Sequence, residues 1–365
     1  MMKNNSHLSQ SVKRSHMKQL AEYRSELRRN PKLKHLFIEL TNLCNERCLH
    51  CGSRCGEAAP EGMLSGEEIK AFLYKTAQEF DVREFQLCIT GGEPLLREDF
   101  FDIMDYANSL GYNWGMTSNG TLIDKEKALL LKKAGLKTIS ISLDGLPETN
   151  DWFRQTEGGF ERALNGVRAL AEYGGLNHLQ VTTVVHKRNI SELPKLYELL
   201  KKERLNSWRV INIEPIGRAK DNAELALSPE DYKTMFTFIR EHYSDPVLPT
   251  VYGCAHYLGA EMEREVRKWY FLCNAGVYTA SIMWNGDIAA CLDIERRPEL
   301  VQGNIRRDDF ADVWQNRFSQ FRGDMRKCGD CAACSDYEFC AGGAFYTWNF
   351  DENRQNVCFK GMLFE

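Results

Sequence analysis

The chain has 365 residues, of which 43% are hydrophobic, enough to form the packed core of one or two domains. Its formal net charge of −4 argues against nucleic acid as the main ligand, because nucleic-acid-binding proteins usually carry a basic surface. The sequence has no apolar run long enough to span a membrane and no signal-peptide segment at its start, so we expect a cytoplasmic protein without a membrane partner.

Residues 1–33 predict a basic amphipathic helix that precedes the main domain. Residues 1–35 contain nine Lys or Arg and two Asp or Glu, which gives a local charge of +7. Met17, Leu20, Ala21 and Leu27 recur at helical spacing and define an apolar face. Such a helix either packs on its own domain or docks on an acidic partner, and we favour the first role.

Residues 34–240 predict an α/β domain built from consecutive β–α units. Apolar runs rich in Ile, Val and Phe alternate there with amphipathic helical segments. The predicted strands cover residues 36–40, 85–90, 112–117, 138–143, 179–185 and 208–213. Helix starts are marked by capping pairs, namely Ser65 with Glu68, Asn189 with Glu192, and Ser228 with Asp231. Six units are too few for a complete eightfold barrel, so we predict a partial (β/α)6 TIM-like barrel with its chemistry at the carboxyl ends of the strands.

The thirteen cysteines indicate metal ligation, because disulfides are rare in the compartment that we expect. Cys44, Cys48 and Cys51 follow the first predicted strand with the spacing C-x3-C-x2-C. Three thiolates on one loop suit three irons of a [4Fe–4S] cluster and leave the fourth iron open to an external ligand. Cys55 could complete a four-cysteine zinc site instead, so the spacing alone leaves zinc as an alternative.

A second motif, Gly91-Gly92-Glu93-Pro94, follows the second predicted strand, and its glycines permit close approach of the backbone to a ligand. The two motifs in this order resemble the radical S-adenosylmethionine (radical SAM) enzymes, and the resemblance covers residues 36–216. His50 departs from the family pattern, in which an aromatic residue often precedes the third cysteine. The resemblance implies that the open iron binds SAM, that an electron cleaves its C–S bond, and that the resulting 5′-deoxyadenosyl radical abstracts a substrate hydrogen.

The resemblance also implies which residues contact SAM, although a capping or turn role is the alternative for each. The segment Gly91, Gly92, Glu93 and Pro94 would accept hydrogen bonds from the amino group of SAM, and Arg154 would bind the carboxylate of SAM. Asn119, Ser142 and Asp144, at the ends of the third and fourth predicted strands, would line its ribose or methionyl part.

Residues 241–365 predict a cysteine-rich module organised around bound clusters. Its eight cysteines are Cys254, Cys273, Cys291, Cys328, Cys331, Cys334, Cys340 and Cys358. The arrangement resembles the SPASM extension, which carries auxiliary [4Fe–4S] clusters in radical SAM enzymes that modify peptides and proteins. Ala344 stands where that extension usually has a cysteine, so we expect one or two auxiliary clusters.

The resemblance implies an outer auxiliary cluster on Cys331, Cys334, Cys340 and Cys358. It also implies an inner cluster on Cys273 and Cys291. By count, Cys254 and Cys328 would complete this inner cluster; the alternatives are a three-cysteine inner cluster with an open iron, or no inner cluster. A structural zinc site is the alternative for this module.

The leading functional hypothesis is an oxidoreductase-type maturase that installs a crosslink, thioether or epimer in a ribosomally synthesised peptide. Its partners would be the peptide, a separate peptide-recognition protein, and an electron donor such as flavodoxin or ferredoxin. The second hypothesis is a radical SAM enzyme that acts on a small molecule such as a tetrapyrrole. The third is a zinc-stabilised binding protein without enzymatic activity.

Overall fold

A computed structural model describes residues 8–58 and 60–364, in which a ten-stranded mixed sheet is the central element. Seven of its strands are parallel neighbours in chain order: β1 (His35–Glu39), β2 (Gln86–Thr90), β3 (Asn113–Ser118), β4 (Thr138–Ser142), β5 (His178–Val185), β6 (Ser207–Asn212) and β7 (Thr250–Tyr252). The six predicted strands are thus confirmed, and so is the α/β class with a parallel sheet.

The seventh parallel strand was not predicted from the sequence. β7 pairs with β6 and lies beyond residue 240, so the proposed division at that residue separates one strand from the sheet to which it belongs. On the opposite side, β8 (Thr279–Ile282) pairs in parallel with β1, and β9 (Asp287–Ala289) and β10 (Gly303–Asn304) continue the sheet as antiparallel strands. A small hairpin of β11 (Trp348–Asn349) and β12 (Arg354–Gln355) lies apart.

Helices follow most of the parallel strands, as β–α units require. They are α1 (Gln10–Arg29), α2 (Gly66–Glu79), α3 (Phe100–Ser109), α4 (Lys125–Lys133), α5 (Pro147–Arg154), α6 (Gly159–Tyr173), α7 (Leu193–Leu200), α8 (Pro229–His242), α9 (Gly259–Met262), α10 (Phe310–Asn316), α11 (Ser319–Arg322) and α12 (Tyr337–Cys340). No helix in the described part of the chain is long and apolar enough to cross a membrane.

Two of the three predicted capping pairs form as expected. The side chains of Ser65 and Ser228 each accept a hydrogen bond from a backbone amide of the helix that follows. The acid three residues later accepts one from the backbone amide of the serine. Asn189 is the exception, because its side chain makes no bond to the helix that follows. Its amide instead donates to the carbonyls of Asp144 and Val184, both at 2.9 Å, so it joins the ends of β4 and β5.

The strand residues alternate between two environments, as the pleat of a sheet dictates. In β1, Leu36 and Ile38 are buried in the core under the helices, whereas Phe37 faces the other side. Residues from β1 through β7 that face this other side line a single cavity, so the sheet curves around it.

The N-terminal helix packs on the chain itself. Met17 and Leu27 of α1 are buried, and the helix contacts α9 and α12 of the C-terminal region. Two of its basic side chains bind to this region: Lys13 forms an ion pair with Glu265 at 2.8 Å, and Arg24 donates a hydrogen bond to the carbonyl of Phe339 at 2.8 Å. These contacts support the packing role over the docking role. Residues 1–7 lie outside the described residues.

Candidate active site

The curved sheet encloses a cavity of about 860 Å³. At the carboxyl ends of the strands the cavity is bounded by the loop that carries Cys44, Cys48 and Cys51. At the opposite ends it reaches His35 and His178, the first residues of β1 and β5. A ligand in this cavity would therefore lie inside the barrel, under the first cysteine loop.

The first cysteine loop is closed by backbone hydrogen bonds that hold its thiols over the cavity. The amide of Cys44 donates to the carbonyl of Gly56 at 2.8 Å, and the amide of Gly56 donates to the carbonyl of Asn42 at 3.0 Å. Burial raises the pKa of Cys44 to about 11 and that of Cys48 well above its ordinary value. Iron binding must therefore displace protons from these thiols, so assembly of the site is coupled to proton release.

Cys55 lies on the same loop and also lines the cavity. Its hydrogen bond with Cys51 lowers the pKa of Cys51 and raises the pKa of Cys55. The thiol of Cys55 also lies 3.7 Å from the carbonyl oxygen of Gly91. Among residues 8–58 and 60–364, no three His, Cys, Asp or Glu side chains are close enough to hold a single metal ion. The loop nevertheless presents Cys44, Cys48 and Cys51 to the cavity, the three thiols that an open four-iron cluster requires, with Cys55 as a fourth beside them.

The Gly91-Gly92 segment is bonded directly to the chain that leads into the cysteine loop. The amide of Gly92 donates to the carbonyl of Thr41 at 2.8 Å, and that of Glu93 donates to the carbonyl of Leu43 at 2.7 Å. A Cβ at Gly92 would lie 1.8 Å from the carbonyl oxygen of Leu43, so only glycine permits this approach. Both glycines line the cavity.

Glu93 and Pro94, in contrast, are buried beside the cavity and are not part of its lining. The Glu93 carboxylate accepts hydrogen bonds from the Ser118 hydroxyl at 2.9 Å and from the Asn119 amide at 2.8 Å. Burial raises the pKa of Glu93 to about 7. In this structure Glu93 therefore joins the ends of β2 and β3 and presents no free carboxylate to a ligand.

Arg154, at the end of α5, forms two buried ion pairs. Its guanidinium lies 2.6 Å from the carboxylate of Glu46, on the cysteine loop, and 2.8 Å from that of Asp144, after β4. Asp144 also accepts a hydrogen bond from the amide of Val184 at 2.7 Å. Among the residues proposed for SAM, Arg154 and Asp144 are thus brought together at the cavity wall as an ion pair, with Glu46 as a second carboxylate on the same guanidinium.

The other two residues proposed for SAM also line the cavity. The Asn119 amide donates to the side-chain oxygen of Asn45, on the cysteine loop, at 2.7 Å. Ser142 is the last residue of β4. The structure therefore places Gly91, Gly92, Asn119 and Ser142 where they can touch a ligand that is bound below the cysteine loop.

Sequence reasoning missed two charged residues at this site, Glu46 and Arg218. Arg218 follows β6 and donates to the carbonyls of Cys48 at 2.8 Å and Cys55 at 3.0 Å. Its position at the carboxyl end of the sixth strand was the available signal, because that edge carries the site in α/β barrels.

The eight C-terminal cysteines divide into two groups. Cys254, Cys273 and Cys291 line the same cavity as the first cysteine loop. The other five lie close to one another. Burial and the neighbouring thiols of Cys358, Cys334 and Cys328 raise the pKa of Cys331. Burial and the neighbouring thiol of Cys358 raise the pKa of Cys340 to about 12. Cys328 therefore lies with the outer group, apart from the inner group that it was proposed to complete.

Ala344 is fully buried, and no sulfur is available at that position. The inner group thus offers three cysteines, with the carboxylate of Asp293 at 3.8 Å from the sulfur of Cys291. Three thiolates fit a cluster with one iron open to another ligand, and the outer five fit a fully ligated cluster.

Comparison with known proteins identifies the chain. Residues 38–200 match the radical SAM superfamily, and residues 273–335 match the SPASM family, an iron–sulfur cluster-binding domain. The AdoMet-dependent heme synthase of Methanosarcina barkeri is 30% identical over 83% of this chain and 89% of its own length. The mycofactocin maturase MftC of Mycobacterium tuberculosis is 28% identical over 84% of this chain and 77% of its own length.

A solved structure shares the fold. SuiB of Streptococcus suis bound to S-adenosylmethionine superimposes with a TM-score of 0.69 at 18% identity, covering 86% of this chain and 73% of SuiB. Two family models match, a relative is similar along nearly its whole length, and the cavity is lined by cysteines. The chain therefore belongs to the radical SAM superfamily and is a SPASM-containing enzyme that uses S-adenosylmethionine and [4Fe–4S] clusters.

Proposed function

We propose that the enzyme abstracts a hydrogen atom from a side chain of a tetrapyrrole that is bound in the interior cavity. The observation that carries the proposal is that one cavity joins the first cysteine loop to the inner C-terminal cysteines, so that a substrate inside it touches both. The substrate C–H bond would break homolytically, and the hydrogen would leave on 5′-deoxyadenosine.

In this proposal Cys44, Cys48 and Cys51 hold the first cluster, which together with S-adenosylmethionine supplies the carbon radical. Gly91 and Gly92 offer backbone groups to the amino group of S-adenosylmethionine, and Asn119 and Ser142 line its other parts. Arg154 is already paired with Glu46 and Asp144 in a charge network, so it would have to exchange one of these partners for the carboxylate of S-adenosylmethionine. The buried position of the network excludes water and strengthens each pairing.

Two observations favour a tetrapyrrole. The heme synthase of Methanosarcina barkeri and the Fe-coproporphyrin III synthase of the same organism, 28% identical over 83% of this chain and 81% of its own length, both bear names that refer to iron porphyrins. The cavity has a volume of about 860 Å³, which is within the range of ordinary small-molecule sites.

A ribosomally synthesised peptide is the second candidate, with a crosslink, thioether or epimer as product. The identity to the maturase MftC supports it. The sheet itself offers a peptide little to pair with, because its edge strands β7 and β10 have three and two residues in the described part of the chain. A peptide substrate would thus depend on a separate recognition protein, and either substrate requires an electron donor such as flavodoxin or ferredoxin.

The test is an anaerobic assay with dithionite and S-adenosylmethionine that measures 5′-deoxyadenosine and the mass of the added substrate. Fe-coproporphyrin III and short synthetic peptides are the two substrates compared. We expect iron porphyrin to stimulate 5′-deoxyadenosine formation and to change in mass. Stimulation and mass change with a peptide alone would contradict the tetrapyrrole proposal in favour of the second candidate.

Two cysteine variants make this assay specific for the first cluster. Cys48→Ala should abolish 5′-deoxyadenosine formation and keep the C-terminal iron, because it removes one of the three proposed ligands of the first cluster. Cys88→Ala is the matched control, since Cys88 lies within β2 and outside both the cavity lining and the cysteine groups. Full activity of Cys48→Ala would refute the proposed ligand set.

A further inference from the structure

Arg209 places a positive charge in the middle of the cavity wall. It lies on β6, with Thr182 of β5 and Val251 of β7 as its neighbours in register, and it is half-buried. Its guanidinium donates one hydrogen bond, from Nη2 to the carbonyl of Gly253 at 3.3 Å. Within residues 8–58 and 60–364, no carboxylate lies within 4.0 Å of its nitrogen atoms.

The backbone is shaped around this side chain at Gly253. A Cβ at that position would lie 2.3 Å from Nε and 2.7 Å from Cγ of Arg209. Any larger residue would push the arginine out of its place, so the absence of a side chain at Gly253 creates the space in which the guanidinium lies. The charge is thus held by packing and by one carbonyl, and within residues 8–58 and 60–364 its other N–H groups have no hydrogen-bonding partner, while the side chain lines the cavity.

The other charged groups of the cavity wall are already engaged. Arg154 is paired with Glu46 and Asp144, and Arg218 is bonded to carbonyls of the cysteine loop. Glu214 lies 2.5 Å from the imidazole of His256.

Two charged groups of the cavity wall remain to be considered, Asp293 near Arg209 and Lys268 farther away. Asp293 is close enough for the Arg209 charge to oppose the rise that burial causes in its pKa, but the two do not form an ion pair. Lys268 is exposed at the far rim of the cavity. Arg209 is therefore a cation on the cavity wall that forms no ion pair with a carboxylate of the described residues.

We propose that Arg209 binds a carboxylate group of the substrate, an inference that rests on the proposed function in placing the substrate in this cavity. A guanidinium presents paired N–H donors that match the two oxygens of a carboxylate, and a cation away from bulk water favours such a partner strongly. Two sources have this chemistry: an acidic side chain of a tetrapyrrole, and the free carboxyl terminus of a peptide. The substrate of this enzyme is accordingly a carboxylic acid held by that acid group beside the inner cysteines.

The first experiment uses sodium propionate as a probe and is independent of turnover. Its affinity is measured by anaerobic calorimetry on the cluster-loaded wild type, Arg209→Gln, Arg209→Lys and the control Arg204→Gln. Arg204 is an exposed cation on the loop before β6 and does not line the cavity. Unchanged cluster absorbance and iron content establish that each variant is intact.

We expect Arg209→Gln to weaken propionate binding by about tenfold or more, because it removes a charged hydrogen-bonding partner. Arg209→Lys should have a smaller effect, since it keeps the charge and loses the paired geometry. Arg204→Gln should bind propionate like the wild type. Equal affinity of the wild type and Arg209→Gln, or no binding by the wild type, overturns the inference.

The second experiment distinguishes the sources and the cofactor. Binding of Fe-coproporphyrin III is compared with that of its tetramethyl ester, and binding of a peptide acid with that of its amide, in the wild type and in Arg209→Gln. A preference for the acid that disappears in Arg209→Gln supports the inference and identifies the source. Weakened binding of S-adenosylmethionine in Arg209→Gln, with propionate unaffected, would overturn it by assigning the cation to the cofactor.

These outcomes separate the inference from the proposed function. If propionate binding depends on Arg209 but Fe-coproporphyrin III neither binds nor reacts, the carboxylate site stands and the tetrapyrrole proposal fails. If iron porphyrin reacts equally well in the wild type and in Arg209→Gln, the proposed function stands and the carboxylate site fails.

Discussion

Arg154 donates from Nη1 to the carboxylate of Glu46 at 2.6 Å, and both side chains are almost completely buried. The bond joins the end of α5 to the loop of the first three cysteines, 108 residues earlier in the chain. Because Asp144 adds a second carboxylate, the arginine holds together three segments around the proposed cofactor site.

Replacement of Arg154 by Met should therefore destabilise the fold as well as the site. Two buried carboxylates would lose their cation, so we expect the free energy of unfolding to fall by about 3–5 kcal/mol. Anaerobic urea denaturation measures this change. Arg162→Met removes the same charge from the exposed surface of α6 and should change the free energy by less than about 0.5 kcal/mol. Equal losses in the two variants would show that the buried network contributes little.

Gly92→Ala should prevent assembly of the first cluster. Its Cβ would collide with the carbonyl of Leu43 and approach Cys44 to 3.1 Å, which displaces the start of the cysteine loop. We expect about four fewer irons per chain after reconstitution, as measured by iron and sulfide analysis. Gly56→Ala is the matched control on the same loop, because nothing lies within 4 Å of its added Cβ, and it should keep all its iron.

The buried carboxyl group of Glu93 should make stability depend on pH. Burial raises its pKa from about 4.5 to about 7, so the folded protein retains a proton that the unfolded chain has already lost. The free energy of unfolding should therefore fall as the pH rises through this interval, by about 3 kcal/mol in total and about 2 kcal/mol between pH 5.5 and 7.5. Glu93→Gln should lack this decline. Parallel pH profiles for the two proteins would contradict the assignment.

Arg218→Met should loosen the first cysteine loop without unfolding the barrel. It removes two charged hydrogen bonds to loop carbonyls, each worth about 1.5–3 kcal/mol. We expect a chelator to remove iron from the first site about tenfold faster than from the wild type. Arg54→Met removes a neighbouring arginine whose ion pair with Asp221 is exposed, and its iron should be lost at close to the wild-type rate.

The strands and the first cysteine loop were predictable because their signals are local. β5, for example, alternates polar and apolar residues from His178 to Thr182 and ends in two valines, and the spacing of Cys44, Cys48 and Cys51 is contained within eight residues. β7 escaped prediction because it has three residues, Thr250–Tyr252, between Pro249 and Gly253. A run that short has no measurable period.

The missing parts of the site depend on contacts between distant segments. Glu46, Arg218 and Arg209 are ordinary charged residues in the sequence, and what distinguishes them is burial and partners that only the fold supplies. Cys328 illustrates the reverse case. Counting cysteines paired it with the inner group, whereas its position just before Cys331 places it with the outer group.

The parallel pairing of β8 with β1 has a consequence for how such proteins can be recombined. β1 leads into the first cysteine loop and lies between β2 and a strand that the chain supplies more than 200 residues later. A gene that lost the C-terminal module would leave β1 as an open sheet edge, with unpaired backbone groups available for association with other chains. Exchange of the module during evolution would therefore succeed only with segments that bring their own strand to cover that edge.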